Sequence, residues 1–499
     1  MKQEFKNDLE KNLPLKEEFD HKKLPPLKTR KRMKTPYKIL IISGSILTGV
    51  ILTLAPFAII LGANGFFDGT TSVKTYSKKY SVNQIKIAEN NSFIKLNDVA
   101  YPENTLPEKY QFSEDEINAY NNFCYNFYKN TLDKKDNFSL GMINSYSIMN
   151  ELFGAVSSNT TKEKFDEILG LNMEERTNFY QHMMNANSYA VDDCTTQLKN
   201  SAFFTNEHKI NPDYISLLNN IYCEAYQLDI HQEVNKMVSW ANQALNDSNY
   251  INKDFFEIDE ETVLVYMSTL YFKNMWNDKY LESNNFIDDF YLSNGETLKT
   301  TYMKHSYFID HYYDYGDYIS FSDYYLNKRC SITYIVPKSN KDNIYDLTKT
   351  ANIFKDNEEN IIENIKTYGD YQEKDLINVK LTTPKIKLDY QINLKDTLCQ
   401  LGLEDIFNRD IDTFRNAFID APSNHNFYLQ KIKQKNQTEF NEDGTIVKSL
   451  AVAMGGESKS SNPFEMDTLE VNLNQPFIYI IKDVNDMPIY VGHVDHPKY

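Results

Sequence analysis

The segment that follows Gly444 constrains the fold more than any other part of the chain. From Thr445 to Ala453, every second residue has a side chain small enough to be buried against a sheet. These residues are Thr445, Val447, Ser449, Ala451 and Ala453. No proline occurs between Gly444 and Pro463, so every N–H group there can join a β-ladder. We predict that the segment is a strand able to insert into a sheet.

The same segment continues into a long polar stretch. About thirty residues of small and polar character separate Thr445 from residues 476–477, where an apolar strand pattern resumes. Long stretches without secondary structure are uncommon in compact domains, and those that occur are usually functional or disordered. The stretch is therefore the first candidate for a functional loop.

The net charge of −17 conceals an uneven distribution. Residues 1–38 hold twelve Lys/Arg and six Asp/Glu, residues 39–67 are uncharged, and the remainder carries −23. Such an acidic domain lacks the basic face that nucleic acid requires, so we expect no nucleic-acid partner. The five cysteines have no spacing typical of zinc or redox motifs, and we expect them to be small buried hydrophobic residues. Heavy use of Lys, Asn, Ile and Tyr is typical of an AT-rich genome, and we expect a bacterial source.

Residues 39–61 read ILIISGSILTGVILTLAPFAIIL, an uncharged run long enough to cross a bilayer as a helix. Residues 22–38 contain eight Lys/Arg and no acidic residue, which keeps this flank cytoplasmic by the positive-inside rule. A cleaved signal peptide is the alternative, but no small-residue cleavage site follows the run. We therefore predict a cytoplasmic tail (1–38), one transmembrane helix (39–62), an extracellular stalk (63–111) and a folded domain (112–499).

Helical patterns occupy the first part of that domain. Ser113 and Glu116 form a capping box before a helix. A second helical run starts at Ser147, and a third extends from residues 160–161 to Gly170. Another helical stretch covers residues 234–245.

Strand patterns follow at residues 262–272 and 331–336. Two further runs, residues 477–481 and 489–494, flank a turn and predict a C-terminal hairpin. Because helices and strands are segregated, we predict an α+β fold rather than a doubly wound sheet.

Motifs for catalysis and metal binding are missing from the sequence. It contains no phosphate loop, nucleophile elbow or metalloprotease motif, so we expect neither an enzyme nor a cofactor. His493, Asp495 and His496 could form a metal site, but their position beside Pro497 at a strand end is typical of a solvated turn. We therefore expect no metal. We expect Trp276 to be a buried packing residue.

Several separate stretches, in this order, resemble the serpins, the family of serine protease inhibitors. They are Asn137-Phe138, residues 144–148, Gly154-Ala155, Thr161, residues 168–171, Asn235, residues 268–276, residues 336–338, residues 401–403 with Phe407, residues 442–445, residues 474–477 and residues 492–497. The resemblance implies a large mixed or antiparallel main sheet, N-terminal helices and an exposed reactive loop. It also implies a monomer that inhibits extracellular serine proteases. A protease cleaves the loop and becomes acylated, and the freed hinge end then inserts as a new central strand.

The resemblance assigns roles to particular residues. It implies that Glu442, Gly444 and Thr445 belong to the hinge, with Val447, Ser449, Ala451 and Ala453 continuing its inward face. It further implies that Asn144, Ser147, Ser268, Trp276 and Gln434 belong to the shutter and breach regions, beneath and at the top of the gap that receives the loop.

The family's spacing from Gly444 reaches Ser458, so the scissile bond is expected close to this residue. Lys459-Ser460 would suit a trypsin-like protease, Ser458-Lys459 an elastase-like or subtilisin-like protease, and Glu457-Ser458 a glutamate-specific protease. All three bonds stay open. Two other functions stay open as well, namely a serpin fold used for binding or adhesion without inhibition, and inhibition of cysteine proteases.

The sequence departs from the family pattern at four places, one of which is a loop several residues longer than usual on the polar side at residues 460–462. The hinge lacks the usual run of alanines, and Asn144-Ser145 stands where Ser-Pro is usual. Gln434 stands where the family's histidine is expected at the top of the gap, which argues against pH-dependent opening at that position.

Overall fold

The computed structural model describes residues 85–90, 92–131, 137–339, 344, 348, 352–368, 371–446 and 467–499. The predicted cytoplasmic tail and transmembrane helix lie outside these residues, and so does the predicted loop at 447–466. No helix within the described ranges is long and apolar enough to cross a membrane.

Seven α-helices occur in the described part of the chain. They are α1 (Glu114–Thr131), α2 (Met142–Ala155), α3 (Asn159–Leu169), α4 (Met173–Ala186), α5 (Pro212–Asn220), α6 (Val234–Ala244) and α7 (Lys395–Gln400). Short 3₁₀ helices occur at Lys253–Phe255, Glu282–Asn284, Leu326–Lys328, Glu358–Asn360, Glu404–Phe407 and Arg415–Ala417.

Local sequence signals account for several helix ends. The Ser113 N–H donates to Glu116 Oε2 at 2.7 Å, and the Glu116 N–H donates back to Ser113 Oγ at 3.3 Å, which confirms the predicted capping box. Gly170 ends α3 with a φ of 74°, a conformation that glycine adopts without strain. Helix α2 begins at Met142, five residues before the predicted start at Ser147, because the preceding strand joins it without a polar cap.

Sheet A is the main sheet. It consists of β1 (Phe93–Lys95), β3 (Ser188–Val191), β4 (Cys194–Thr205), β5 (Cys223–Leu228), β6 (Leu264–Met275), β15 (Ile386–Asn393), β16 (Lys433–Phe440) and β17 (Gly444–Ile446). The strand order is β1-β5-β4-β6-β17-β16-β15, with β3 beside β4. Because β4 and β5 are parallel and the other neighbours are antiparallel, the sheet is mixed, as predicted.

Two further sheets, one of eight strands and one of four, contain the remaining strands. The strands of sheet B are β2 (Phe138–Gly141), β9 (His311–Asp314), β10 (Tyr318–Tyr324), β11 (Ser331–Pro337), β12 (Ile361–Tyr368), β13 (Tyr371–Asp375), β19 (Phe477–Lys482) and β20 (Pro488–Val494). Those of sheet C are β7 (Phe286–Tyr291), β8 (Thr297–Ile309), β14 (Ile377–Pro384) and β18 (Thr468–Asn472). Sheet B has the order β13-β12-β9-β10-β11-β19-β20-β2, and sheet C has the order β18-β14-β8-β7.

The apolar core is formed by residues of sheet A, sheet B and the helices α1 and α2. Strand β19 is buried along its whole length, and it pairs with β20 as the predicted C-terminal hairpin. A second apolar cluster lies under α6 and includes Trp240 and Met267. Four of the five cysteines are buried, Cys399 is half-buried, and all five are free thiols.

The folded domain begins before the predicted boundary at Phe112. Strand β1 pairs with β5, and Phe93 is fully buried in the cluster under α6. The later part of the predicted stalk at 63–111 thus belongs to the folded domain. A three-residue strand in a polar segment is too short to produce a hydrophobic period, so the sequence pattern did not reveal it.

Candidate functional site

A tight turn joins β16 to β17 at the end of sheet A. The side-chain oxygen of Asn441 accepts the N–H groups of Asp443 and Gly444 at 3.1 and 3.3 Å. The Asn441 N–H donates to the Gly444 carbonyl at 3.1 Å. These bonds reverse the chain and direct Gly444–Ile446 between β6 and β16.

Gly444 lies against the backbone of β6. A Cβ atom at this position would lie 2.2 Å from the Asn274 carbonyl oxygen and 2.8 Å from the Met275 Cα. Both neighbours are backbone atoms of a paired strand, so neither can give way as a flexible side chain would. The hinge occupies its place in sheet A only because residue 444 has no side chain.

Thr445 is the first residue of the hinge whose side chain enters the core. It is fully buried, and its hydroxyl lies 2.6 Å from the hydroxyl of Tyr325. Burial raises the pKa of Tyr325, so this hydroxyl is neutral and can donate or accept the bond. A small polar side chain thus fits this buried position of the hinge.

Trp276 holds the turn from the β6 side. Its indole N–H donates to the Asn441 carbonyl at 2.8 Å, and its backbone N–H donates to the Asp443 carbonyl at 3.0 Å. The ring is buried and stacks on Tyr325 with centroids 4.9 Å apart. The prediction that Trp276 is a buried packing residue is confirmed, and the residue also fixes the hinge.

Charged contacts attach the turn to neighbouring strands. The Glu442 carboxylate lies 3.0 Å from Lys385 Nζ and accepts the Asn285 amide at 2.5 Å. Burial of Glu442 opposes its ionisation, but the Asn285 amide and the Lys385 ammonium outweigh burial and hold the pKa of Glu442 below its ordinary value. Asp443 pairs with Lys279 at 3.0 Å.

Beyond the hinge, toward the other end of sheet A, the described strands β6 and β16 do not pair with each other. Each pairs with β17 at the hinge end, and within the described residues no hydrogen-bond register joins one to the other. A cavity of about 210 Å³ lies between them, lined by residues 264–270 and Phe272 of β6 and by residues 433–437 of β16. Sheet A therefore contains a gap between its two central strands, and β17 fills only the end of it.

A polar network lies beneath this gap. The Asn144 amide donates to Ser268 Oγ at 2.9 Å. The Gln434 side chain accepts the Gly141 N–H at 3.0 Å and donates to the Gly141 carbonyl at 2.9 Å and to Ser145 Oγ. The network connects β6, β16 and the start of α2 across the gap.

Three of the predicted shutter and breach residues are thus close together, and two are not. Asn144, Ser268 and Gln434 share the network below the gap, whereas Trp276 lies at the hinge. Ser147 instead bonds the Tyr180 hydroxyl at 2.6 Å, away from the gap.

The predicted position of Gln434 at the top of the gap is wrong. Gln434 is the second residue of β16, at the opposite end of the strand from the hinge. Position along β16 could not be read from sequence because the length of the strand was unknown.

The remaining predicted site residues lie outside the described part of the chain. They are Val447, Ser449, Ala451 and Ala453 of the inward face, and Glu457, Ser458, Lys459 and Ser460 at the candidate scissile bonds.

Sequence reasoning did not find the partners of the hinge. Tyr325, Lys385, Asn285 and Lys279 lie on segments far from residue 444 in sequence, and only the folded chain brings them to it. No local pattern could have identified them.

The prediction of a solvated turn at residues 493–496 is wrong in part. His493 and Asp495 are fully buried, and Asp495 accepts the Ser293 N–H at 3.1 Å and lies 2.7 Å from His496 Nδ1. His493 is buried because β20 is buried along its whole length, and Asp495 follows the last residue of that strand directly. No cluster of metal-binding side chains occurs among the residues that the structure describes.

Comparisons with known proteins agree with this geometry. The family model of the serpins (serine protease inhibitors) matches residues 118–497. Serpin-Z4 of Hordeum vulgare is 29% identical over 252 residues, which cover 48% of this chain and 57% of the barley protein. A serine protease inhibitor of Cyanea capillata is 24% identical over 315 residues, 61% of this chain and 77% of its own length. The chain thus spans little more than half of the barley relative.

Solved structures give the same fold. The thermophilic serpin tengpin in its native state superimposes with a TM-score of 0.64 at 20% identity, covering 78% of this chain and 96% of tengpin. Tengpin in its latent state superimposes with a TM-score of 0.61, covering 78% of this chain and all of tengpin. Since the family model matches most of the sequence and the fold agrees, the chain belongs to the serpin family.

Proposed function

We propose that this protein inhibits extracellular serine proteases by inserting its cleaved loop into sheet A. The observation that carries the proposal is the position of β17. Three hinge residues already lie between β6 and β16, and the gap continues beyond them. A strand that follows β17 into the gap would pair on both sides.

The register of β17 against β6 supports a fit of the loop to the gap. Gly444 is opposite Met275 and Ile446 is opposite Lys273, so each later residue would pair one position further toward Leu264. Continuing this register pairs Gly455 with Leu264 at the far end of β6. The proline-free segment is therefore long enough to fill the gap along the whole of β6.

The side chains also suit the two faces of the gap. In this register Ala451 would lie between Ser268 and Gln434, above the polar network, where a larger side chain would displace it. Leu450 and Val452 would point to the other face, where Ala241 and Leu245 line the cavity. Apolar residues at these outward positions would thus be buried, which favours insertion.

The cell surface is the proposed location, with the N-terminus in the cytoplasm and the serpin domain outside. The uncharged run at 39–61 and its basic flank support this topology. The proposal of a bacterial source rests on the heavy use of Lys, Asn, Ile and Tyr. The test is protease treatment of intact cells, which should remove the serpin domain and spare a tag placed before Met1.

The inhibitory function is tested by incubating the full chain in detergent with trypsin, elastase and a glutamate-specific protease. We expect an SDS-resistant complex with at least one of them. The mass of the released C-terminal peptide distinguishes cleavage at Glu457, Ser458 or Lys459. Complete cleavage by all three proteases without any complex would contradict inhibition and favour a binding or adhesion role.

A further inference from the structure

Residues 85–90 and 92–95, called the strap from here on, run beside α6 at the edge of sheet A. The Phe93 ring is fully buried and stacks on Tyr226 of β5 with centroids 5.1 Å apart. Ile85 and Ile87 pack against the same apolar cluster. The strap thus adds an apolar contact to the helix and to the sheet.

Hydrogen bonds attach the strap along one side of α6. Gln243 accepts the Lys86 N–H at 3.0 Å and donates to the Lys86 carbonyl at 3.3 Å. Ser92 Oγ donates to Glu233 Oε1 at 2.8 Å, and Lys236 Nζ donates to the Ala88 carbonyl at 2.8 Å. Because these helix positions are separated by three and seven residues, they lie on one face, and the strap follows that face from end to end.

A buried carboxylate joins the strap, α6 and β5. Glu224 is 5% exposed and pairs with Lys95 Nζ at 3.3 Å. The Trp240 indole N–H donates to the same carboxylate at 2.7 Å, and the Tyr226 hydroxyl donates at 2.9 Å. Hydrogen bonds to a buried carboxylate are stronger than those between neutral groups, so this junction stabilises the contact of the strap with α6 and β5.

The adjacent face of α6 covers the gap in sheet A. Met237, Trp240 and Ala241 share a cluster with Met267 of β6. Ala241 and the following Leu245 line the cavity between β6 and β16. Any strand that enters the gap must therefore be accommodated against α6.

We propose that the strap sets the rate at which sheet A accepts a new strand, because it holds α6 over the gap. The inference rests on the proposed function, since it concerns the control of loop insertion. When a strand fills the cavity, the wall formed by α6 has to shift, and the bonds between the strap and α6 oppose that shift. Releasing the strap should speed insertion without altering the hinge.

Hydrogen–deuterium exchange on the full chain tests whether the strap holds α6 over the gap. The double variant Ser92→Ala/Gln243→Ala removes three hydrogen bonds between the strap and α6 and no buried side chain. We expect exchange in α6 to accelerate about tenfold, with β19 unchanged. The control Ile94→Ala, at a position of the strap that is 46% exposed, should leave α6 as in the unchanged protein. Unchanged exchange in α6, or equal acceleration in β19, would overturn the proposal.

The rate of insertion is tested without a protease. On prolonged warming, conversion to a loop-inserted form should appear as a rise in the midpoint of thermal unfolding. We expect conversion to be about tenfold faster in the double variant than in Ile94→Ala. Equal conversion rates would overturn the role of the strap. Neither the exchange experiment nor the warming experiment depends on inhibition of a protease. A failure of the proposed inhibition would therefore be detected in a different experiment, as the absence of SDS-resistant complexes.

Discussion

The hydroxyl of Thr445 lies 2.6 Å from the hydroxyl of Tyr325, where the hinge enters sheet A. Tyr325 in turn stacks on Trp276, whose indole bonds the turn before the hinge. One aromatic pair thus positions both ends of the segment from residue 441 to residue 445. The hinge residues Gly444 and Thr445 are held in the sheet by specific contacts.

Tyr325→Phe should loosen the hinge. The change leaves the ring stacked on Trp276 but leaves the buried Thr445 hydroxyl without its partner, at a cost of about 1 kcal/mol. We expect faster amide exchange at Gly444–Ile446, measured by mass spectrometry. Tyr324→Phe, at the half-buried neighbouring position, is the matched control. Equal exchange in the two variants would show that the hydroxyl pair does not hold the hinge.

Gly444→Ala should expel the hinge from sheet A. A Cβ atom would overlap the Asn274 carbonyl oxygen, and no change of rotamer relieves a clash between a Cβ atom and the backbone of the next strand. We expect the amides of residues 444–446 to lose their protection, and inhibition to fall because insertion starts from the hinge. A variant with normal protection would contradict the close approach of β17 to β6.

The Glu442–Lys385 pair should make the hinge sensitive to acid. The pKa of Glu442 is lowered in the folded protein, so its contribution to stability is complete above the ordinary carboxyl pKa of about 4.3 and is lost as pH falls through the lowered value. Glu442→Gln should therefore lower stability at pH 7 and reduce its decline between about pH 5 and pH 3. Denaturant unfolding at several pH values measures this. Identical pH profiles would mean that the pair contributes nothing.

Gln434→Leu should destabilise the domain by about 2 kcal/mol, because it removes the acceptor of the buried Gly141 N–H and the bonds that Gln434 donates to the Gly141 carbonyl and to Ser145 Oγ. Gln437→Leu, three residues along the same strand and only half-buried, is the control and should change stability little. Denaturant midpoints measure both. A loss no larger in Gln434→Leu than in the control would contradict the role of the network below the gap.

Local signals in the sequence were sufficient for part of the fold. The capping box at Ser113, the glycine end of α3 and the C-terminal hairpin each depend on residues close together in the chain. The hinge was also predictable, because its small residues and missing proline are features of one continuous segment. These elements needed no knowledge of long-range contacts.

The features that the sequence did not reveal depend on pairing between strands that are distant in the chain. Strand β1 forms only because β5 offers an edge to three residues of a polar segment. Lys385 reaches Glu442 through the pairing of distant strands, and its position in the sequence carries no sign of that partner. Likewise, the place of Gln434 along the gap depends on where β16 begins.

Insertion of the cleaved loop is the central claim, and thermal unfolding of the full chain before and after cleavage near Ser458 tests it most directly. The inserted strand would add ladder hydrogen bonds and buried surface along β6 and β16, so we expect the midpoint to rise by about 10 °C or more. Thr445→Arg, which would bury a charge at the first inward position, should abolish the rise, whereas Lys448→Arg at an outward position should retain it. An unchanged midpoint after complete cleavage would contradict loop insertion.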